Sequence, residues 1–426
     1  MNTPIADFLE DYTNRGSLRL HMPGHNGETP HDITEIEGAD SLYESEHSKG
    51  IIAWSEQIAA KIFGAQRTCY SAGGSTLAIQ TALALLKAQG CKTIAAGRCS
   101  HRSLVSAAAL LDLDIKWLYP REYPSAEVDT STEALSGADA LFVTNIDYYG
   151  GTCRAEAPII PVVCDNAHGT YLKFVNKAAF GREYLHPMEF GYPVISAESA
   201  HKTLPALTGA AYLHFSKGTD YSRAKEMSAM FGSSSPSYLI MESLDRWNGK
   251  YLSDPDCVNR ACASVLRLKK RLSAAGFMLR KSDPLRVTID ARAWGYPGQE
   301  FAALLRAHGA ECELADANYV VLLFSAITTL EDCQRAEMSL ALIPRQEALP
   351  LVKYPVIKPT KELSIREAVF RRQKTVPVSE AAGRVCGGIQ CPSPPCIPMV
   401  MPGEHIDSEA AEALQLYGVQ TVSVLE

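Results

Sequence analysis

The residue with the clearest chemical potential in this sequence is the lysine of Ser199-Ala200-His201-Lys202-Thr203. Apolar runs flank the stretch from Ser196 to Leu204. Tyr192-Pro193-Val194-Ile195 reads as a strand before it, and Ala210 to Phe215 as a second strand behind it. An ammonium ion between two buried strands is costly to desolvate unless its charge is paired or removed. The ordinary outcome for such a lysine is to snorkel to water. Here small hydroxylated neighbours and the preceding His201 suit another use, an amine held as an imine beside a phosphate.

Three further groups have the residue types to complete such a site. Tyr70-Ser71-Ala72-Gly73-Gly74-Ser75-Thr76 precedes a long apolar helix, predicted from Leu77 to Gln89 and closed by Gly90. Paired glycines before a helix start aim unpaired N–H groups and the positive end of the macrodipole at an anion. Ser75 or Thr76 would equally serve as a plain N-cap. The run Ile159 to Cys164 ends in Asp165-Asn166-Ala167-His168-Gly169, an acid and a histidine at a strand end. Ligands of parallel α/β sheets bind there, although an acid in that place can also cap a helix. The loop Gly97 to Ser103 carries His101, and Leu18 to Gly27 carries His21 and His25 around a Pro-Gly turn. That last segment is either a plain arm or a cover over a site.

The elements that must position these residues alternate. A helix is predicted from Trp54 to Phe63 with Gly64 as its stop. Strands are predicted at Thr93–Ala96, Ile115–Tyr119 and Ala140–Thr144, with a helix ending at Leu111. This order argues for an α/β fold with a mainly parallel sheet covered on both faces. Ser222 to Met230 reads as helix, and a long amphipathic region follows, broken near Ser253-Asp254-Pro255. Its basic stretch, Arg267 to Arg271, reads as a solvated helix face. Beyond Gly276, strands at Leu285–Ile289 and Tyr319–Phe324 alternate with helices at Gln299–His308 and Thr329–Leu342, a compact α/β sandwich. From Pro350 onward the prolines predict a rigid irregular path rather than helix or sheet.

Composition bounds the remaining possibilities. The 426 residues, 46% hydrophobic and 21% charged, are those of a globular protein of two or three domains. A net charge of −7 gives no electrostatic footprint for nucleic acid and no polybasic surface for membranes. No apolar run approaches the roughly 20 residues of a membrane helix, and the first residues lack signal-peptide features. A cytoplasmic location is expected. The twelve cysteines form no CxxC pair, and the five-residue interval of Cys386, Cys391 and Cys396 fits no common zinc spacing. They are read as reduced thiols, and no metal site is expected.

Taken in order, these groups resemble a fold-type-I pyridoxal-phosphate enzyme, and more closely the bacterial ornithine/lysine/arginine decarboxylase family. The resemblance rests on His21-Met22-Pro23-Gly24-His25, Gly73-Gly74-Ser75-Thr76, His101-Arg102-Ser103, Asp165-Asn166-Ala167-His168-Gly169 and His201-Lys202-Thr203-Leu204. Ser235-Pro236-Ser237-Tyr238 and Met401-Pro402-Gly403-Glu404 extend it over essentially the whole chain. The chain looks like the short form, without the N-terminal wing domain. The resemblance implies an aspartate-aminotransferase-like large domain with a mainly parallel seven-stranded sheet, plus small α/β C-terminal domains. It divides the chain into an arm at 1–50, a cofactor-binding domain at 51–255, a small α/β domain at 256–350 and a Pro-rich subdomain at 351–426.

The family also implies roles. Lys202 carries the cofactor as an imine, Asp165 keeps the ring nitrogen protonated, and His101 stacks on the ring. Gly74, Ser75, Thr76, Ser199 and His201 surround the phosphate, with Ser235 reaching it from the second subunit of a homodimer or of a higher homo-oligomer such as a dimer of dimers. His168 lies near the imine, and Lys202 or a nearby histidine returns a proton to Cα. The implied substrate is a basic amino acid, and the implied product is an amine of the kind used for polyamines. Glu404 is the expected partner for the substrate's distal cation, with His25 as a further substrate contact and Asp40 and Glu46 as weaker candidates; a surface acid in a turn is the plain alternative for Glu404. The chain departs from the family's Tyr-Pro-Pro-Gly at Cys391 to Cys396, and from Pro-Thr-Tyr at Asn145-Ile146-Asp147-Tyr148. Both departures bear on the substrate rather than the cofactor. The rivals are another reaction of the same cofactor, such as an aminotransferase using Arg366 for the α-carboxylate, and a non-catalytic cofactor-binding protein.

Overall fold

The computed structural model describes residues 2–44, 49–121, 123–156, 158–389 and 398–426. Its main sheet has seven strands: β1 (Arg67–Ser71), β2 (Thr93–Gly97), β3 (Asp114–Leu118), β4 (Ala140–Thr144), β5 (Val162–Asp165), β6 (Ile195–Glu198) and β7 (Ala211–Phe215). They lie in the order β1-β7-β6-β5-β4-β2-β3. Pairing is parallel between β2 and β3, β2 and β4, and β5 and β6, whereas β7 runs antiparallel between β1 and β6. Strands β5, β6 and β7 are buried along their whole length, as expected of strands covered on both faces. The expected mainly parallel α/β fold is the observed one.

Two strand boundaries move for one reason. The strand expected at Tyr192–Ile195 runs instead from Ile195 to Glu198, and the one expected from Ile159 begins at Val162. Pro193 and Pro161 have no N–H to give to a ladder, so pairing begins after them. Ser196, Ala197 and Glu198 are therefore strand, and Lys202 sits in the one-turn helix Ala200–Thr203 that follows.

The helices used below are α1 (Pro4–Asn14), α2 (Ile51–Phe63), α3 (Gly74–Ala88) and α4 (Arg102–Leu111). Helix α2 ends at Gly64, whose φ of 67° only glycine adopts readily. It begins at Ile51 rather than Trp54, because the Asp40 carboxylate accepts hydrogen bonds from the Ile52 and Ala53 amides at 2.8 and 3.2 Å. A carboxylate distant in sequence thus does the work of a local cap.

The chain divides into two compact units. The first comprises Met1–Leu85, Val162–Ser264 and Phe324–Leu330; the second comprises Leu86–Pro161, Val265–Leu323 and Glu331–Glu426. In the first, α1, α2 and the helix Tyr238–Ser253 pack together. Asp245 of that helix accepts from the Ile5 and Ala6 amides at 2.9 and 3.0 Å and from Ser55 Oγ at 2.5 Å, holding the start of α1. Burial nevertheless pushes the Asp245 carboxyl up to about 6 against these donors.

In the second unit, four antiparallel strands lie in the order Leu314–Ala315, Tyr319–Leu323, Arg286–Asp290, Leu279–Arg280. Arg267, Lys270 and Arg271 are exposed as expected, whereas Lys269 donates to the Ser282 and Asp283 carbonyls. The irregular path expected beyond Pro350 is not what forms. Helices Ile365–Phe370 and Ser408–Leu416 and the strand pair Gln373–Pro377 with Thr421–Leu425 enclose a core that includes Ile357, Val376, Ile406, Leu414, Val422 and Val424. The prolines stand mainly between these elements, and the apolar spacing within each element decides its form.

Candidate active site

The first unit assembles most of the expected residues. Strand β5 ends at Asp165, 4% exposed, whose Oδ1 accepts from the Ala167 amide at 3.0 Å. That turn brings His168 to the site, and His168 Nε2 lies 3.1 Å from Lys202 Nζ. The neighbouring strand β6 is tied into the same turn, since the Asn166 amide donates to the Ala197 carbonyl at 2.9 Å. Past β6, Ser199 Oγ donates to Ser75 Oγ at 2.8 Å, so the two hydroxyls expected at the phosphate meet. His201 uses Nδ1 on the Ala210 carbonyl at 3.0 Å.

The start of α3 is open and carries donors without backbone partners. Gly74 has φ 70°, and its amide donates to the Gly209 carbonyl at 2.8 Å, which turns the chain into the helix. A Cβ at Gly74 would meet no atom within 4 Å, so the space over this first turn is open. Among the described residues, the Ser75 and Thr76 amides have no hydrogen-bond partner. These are the orphan donors of a helix N-terminus, with the dipole behind them.

The first unit also holds a buried network that sequence reading missed. Glu198, the last residue of β6, meets His186 Nε2 at 2.9 Å and Ser196 Oγ at 2.8 Å, and His214 Nε2 stands 3.8 Å away. Burial alone would raise the Glu198 carboxyl, but His186 and His214 draw it down to about 2. Burial pushes His214 down to about 3 against the pull of Glu198, so its ring is neutral at pH 7. The three side chains are close enough to suggest a metal ligand set. However, His186 Nδ1 accepts from the Met188 amide at 3.2 Å, so its Nε2 carries the proton that Glu198 receives. That nitrogen has no lone pair for a cation, and the trio is a hydrogen-bonded scaffold. Spacing could not reveal it, because its members lie on three separate elements.

His101 and Glu404 belong to the second unit. His101 is the N-cap of α4, with Nδ1 accepting from the Ser103 amide at 3.2 Å. Glu404 is 3% exposed, and both its oxygens are engaged by Arg98, Nη1 to Oε1 at 2.6 Å and Nη2 to Oε2 at 2.7 Å. The Met401 amide adds a third donor at 2.7 Å. Within the protein, Arg98 is thus a partner for Glu404 that the sequence reading did not identify. Asp40 is likewise committed, to the start of α2. Glu46 and the Cys391 to Cys396 stretch lie outside the described residues. His25 rests in the arm with Nε2 3.3 Å from Asp32 Oδ2, and Ser235 is exposed on the segment before the Tyr238–Ser253 helix. Asp147 folds back on its own turn, accepting from the Tyr149 and Gly151 amides. Arg366 donates to the Ala109 and Leu110 carbonyls at the end of α4, both at 3.0 Å.

A mainly parallel seven-stranded sheet with a lysine after one strand and an acid at the end of its neighbour defines a fold-type-I pyridoxal-phosphate enzyme. The family model of the Orn/Lys/Arg decarboxylase major domain matches residues 3–278, and that of the C-terminal domain matches residues 346–420. The chain belongs to the Orn/Lys/Arg decarboxylase family and is a decarboxylase. It is 28% identical to an uncharacterized protein, YaaO, of Bacillus subtilis, covering 97% of this chain and 94% of that one. Arginine decarboxylase of Bacillus subtilis is 25% identical, covering 96% and 92%, and that of Bacillus anthracis 26%, covering 97% and 92%. The constitutive lysine decarboxylase of E. coli shares the fold with a TM-score of 0.78 at 17% identity, over 100% of this chain and 82% of that one. The family's cofactor is pyridoxal phosphate, and the residues present fit it. The first unit offers an amine at Lys202, a buried acid at Asp165, and open donors with two hydroxyls at the start of α3.

Proposed function

We propose that this protein decarboxylates a basic amino acid, arginine, lysine or ornithine, to the corresponding amine and CO2. The observation that carries the reading is the contact of Lys202 Nζ with His168 Nε2 at 3.1 Å beside Asp165. Relatives named arginine decarboxylase make arginine the first substrate to test. Pyridoxal phosphate, when bound, supplies an electron sink for the pair left behind as CO2 departs.

The chain's own groups do the rest. Lys202 Nζ is the anchor for the cofactor, and Asp165 holds a proton at the ring nitrogen. Gly74, Ser75, Thr76, Ser199 and His201 hold the phosphate, and His101 fixes the plane of the ring. Lys202 and His168 are within proton-sharing distance, and this pair returns a proton to the substrate Cα. Ser235, exposed on one subunit, serves the phosphate of its partner in a homodimer. The reaction runs in the cytoplasm, and its amine product is of the polyamine-precursor class.

Arg366, the residue weighed for the carboxylate of an aminotransferase substrate, donates through Nη1 to the carbonyls that end α4. Carboxyl-labelled arginine, lysine and ornithine, each incubated with the loaded enzyme, decide the matter. Labelled CO2 with a matching amine from one of them is expected; a keto acid would overturn the reading. Lys202→Ala is expected to abolish the cofactor's protein-bound visible absorbance, and retention of that band would sink the site.

A further inference from the structure

We propose that His201 grips the cofactor phosphate only as an imidazolium, so that cofactor binding at neutral pH draws a proton from water. The inference rests on the reading of His201 as a phosphate contact, and every residue it uses lies in the first unit. The ring is anchored at one nitrogen. Nδ1 stands 3.0 Å from the Ala210 carbonyl oxygen, and the His201 amide reaches the same oxygen at 3.3 Å. A carbonyl oxygen only accepts, so Nδ1 carries a proton whether the ring is neutral or charged. In the neutral ring Nε2 is then a bare lone pair, with nothing to donate to a phosphate oxygen.

The same anchor ties the ring to the start of α3. Gly209, the residue before Ala210, accepts the Gly74 amide on its own carbonyl at 2.8 Å. Consecutive carbonyls of one turn thus hold the His201 ring and the bend into α3. A Cβ at Gly209 would stand 3.4 Å from the Ala72 carbonyl oxygen, so this turn lies directly on the loop that precedes α3. Two residues before His201, Ser199 Oγ reaches Ser75 Oγ in that first turn. Among the described residues, His201 Nε2 has no hydrogen-bond partner.

The counter-charge for an imidazolium comes with the phosphate. The helix Ala200–Thr203 packs on β7 and on the turn Thr170–Phe174, its leading Ser199 meets the start of α3, and the Ala326 amide donates to the Thr203 carbonyl at 2.7 Å. The titratable groups on these elements and on the helix itself are Tyr171, Lys173, Tyr212, His214 and Lys202, with Glu198 on the strand that leads in. Burial keeps His214 and Tyr212 neutral at pH 7, pushing the first down to about 3 and the second well up. Glu198, the carboxylate of the set, is taken by His186 and Ser196. A bound phosphate is the anion these elements lack. A phosphate ester loses its second proton near about pH 6, so at neutral pH it arrives as a dianion and cannot supply the proton of the contact.

The test titrates pyridoxal phosphate into the full-length protein stripped of cofactor, by calorimetry between about pH 6.5 and 8.5 in buffers of different ionisation heat. The heats give the protons taken up per cofactor, and the titration gives Kd. His201→Asn keeps a donor for the Ala210 carbonyl and has nothing at the Nε2 position. His201→Gln places there an amide donor that does not titrate. At the upper end of the range, wild type is expected to take up about one proton more than either variant, since proton changes at Lys202 are common to all three. At the lower end it should bind about tenfold to a hundredfold tighter than His201→Asn, an advantage that shrinks by up to about tenfold per pH unit as the pH rises. His201→Gln should show the same pH dependence as His201→Asn. Should His201→Gln fail to fold, His201→Asn carries the comparison, because it retains the Ala210 anchor. Equal proton uptake in wild type and His201→Asn, with a constant advantage in affinity, overturns the proposal and leaves His201 as a neutral contact. Equal affinities at every pH overturn the reading of His201 and this proposal with it.

Discussion

In the folded protein, burial keeps the His214 ring neutral until the pH falls to about 3. Its folded value is about 3, against about 6.5 in an unfolded chain, so between these values the unfolded state takes up a proton that the folded state refuses. Stability from this group is complete above pH 6.5 and is lost as the pH falls toward 3. Glu198, at about 2 in the fold, adds a second loss as the pH falls below its unfolded value of about 4.5. His214→Gln is expected to move the acid-unfolding midpoint, followed by near-UV circular dichroism, to lower pH. Asp245 works in the opposite sense. Its folded value of about 6 lies above the unfolded value of about 4, so its cost is present at neutral pH and is relieved as the pH falls through 6. An asparagine there keeps an acceptor for the Ile5 and Ala6 amides and gains a donor for Ser55. Asp245→Asn should therefore raise Tm at pH 7.5, and the gain should shrink toward pH 4.5. At the reacting centre, His168→Gln should lower kcat by about 10²–10⁴-fold while leaving the cofactor's bound absorbance in place. That Asp165 and His168 follow one strand and Lys202 the next was legible in the sequence, because these short motifs sit at the ends of apolar runs. The partner of Glu404 was not, since Arg98 precedes it by some 300 residues and nothing in either neighbourhood names the other.

Between residues 51 and 342 most helices and strands were legible in type and order, and less so at their ends. Apolar periodicity places α2 and α3, but it says nothing about the turn before the first apolar residue. That turn is set by Asp40 for α2 and by the Gly73–Gly74 bend for α3. Asp40→Ala should cost about 1 kcal/mol and speed hydrogen exchange of the Ile52 and Ala53 amides, leaving the C-terminal half of α2 protected. Gly74→Ala meets open space, so its cost is conformational, about 1 kcal/mol from the positive φ. The same change would tilt the first turn of α3 and should weaken cofactor affinity more than it lowers Tm, measured by cofactor titration beside thermal melts.

For the molecule as a whole, the alternation of elements was enough to give a mainly parallel α/β fold, because parallel strands need crossovers that show in the sequence. The C-terminal block was misread for a physical reason: proline content reports where a chain cannot be regular, while the elements form in the intervals between prolines. The twofold division into compact units could not be read either, since each unit is stitched from separate stretches of chain.

The pairing of β1 with β7 carries a consequence for biosynthesis. Residue 67 meets residue 215, so the first strand to leave the ribosome is edged by the last strand of its sheet. At about 5–20 residues per second, α2 and β1 wait on the order of ten seconds or more as a nascent segment without their sheet partner. An unpaired strand edge exposed for that long is open to pairing with other chains. Stalling translation just before Ala211 should leave the N-terminal segment open to protease, and stalling it well past Phe215 should close it.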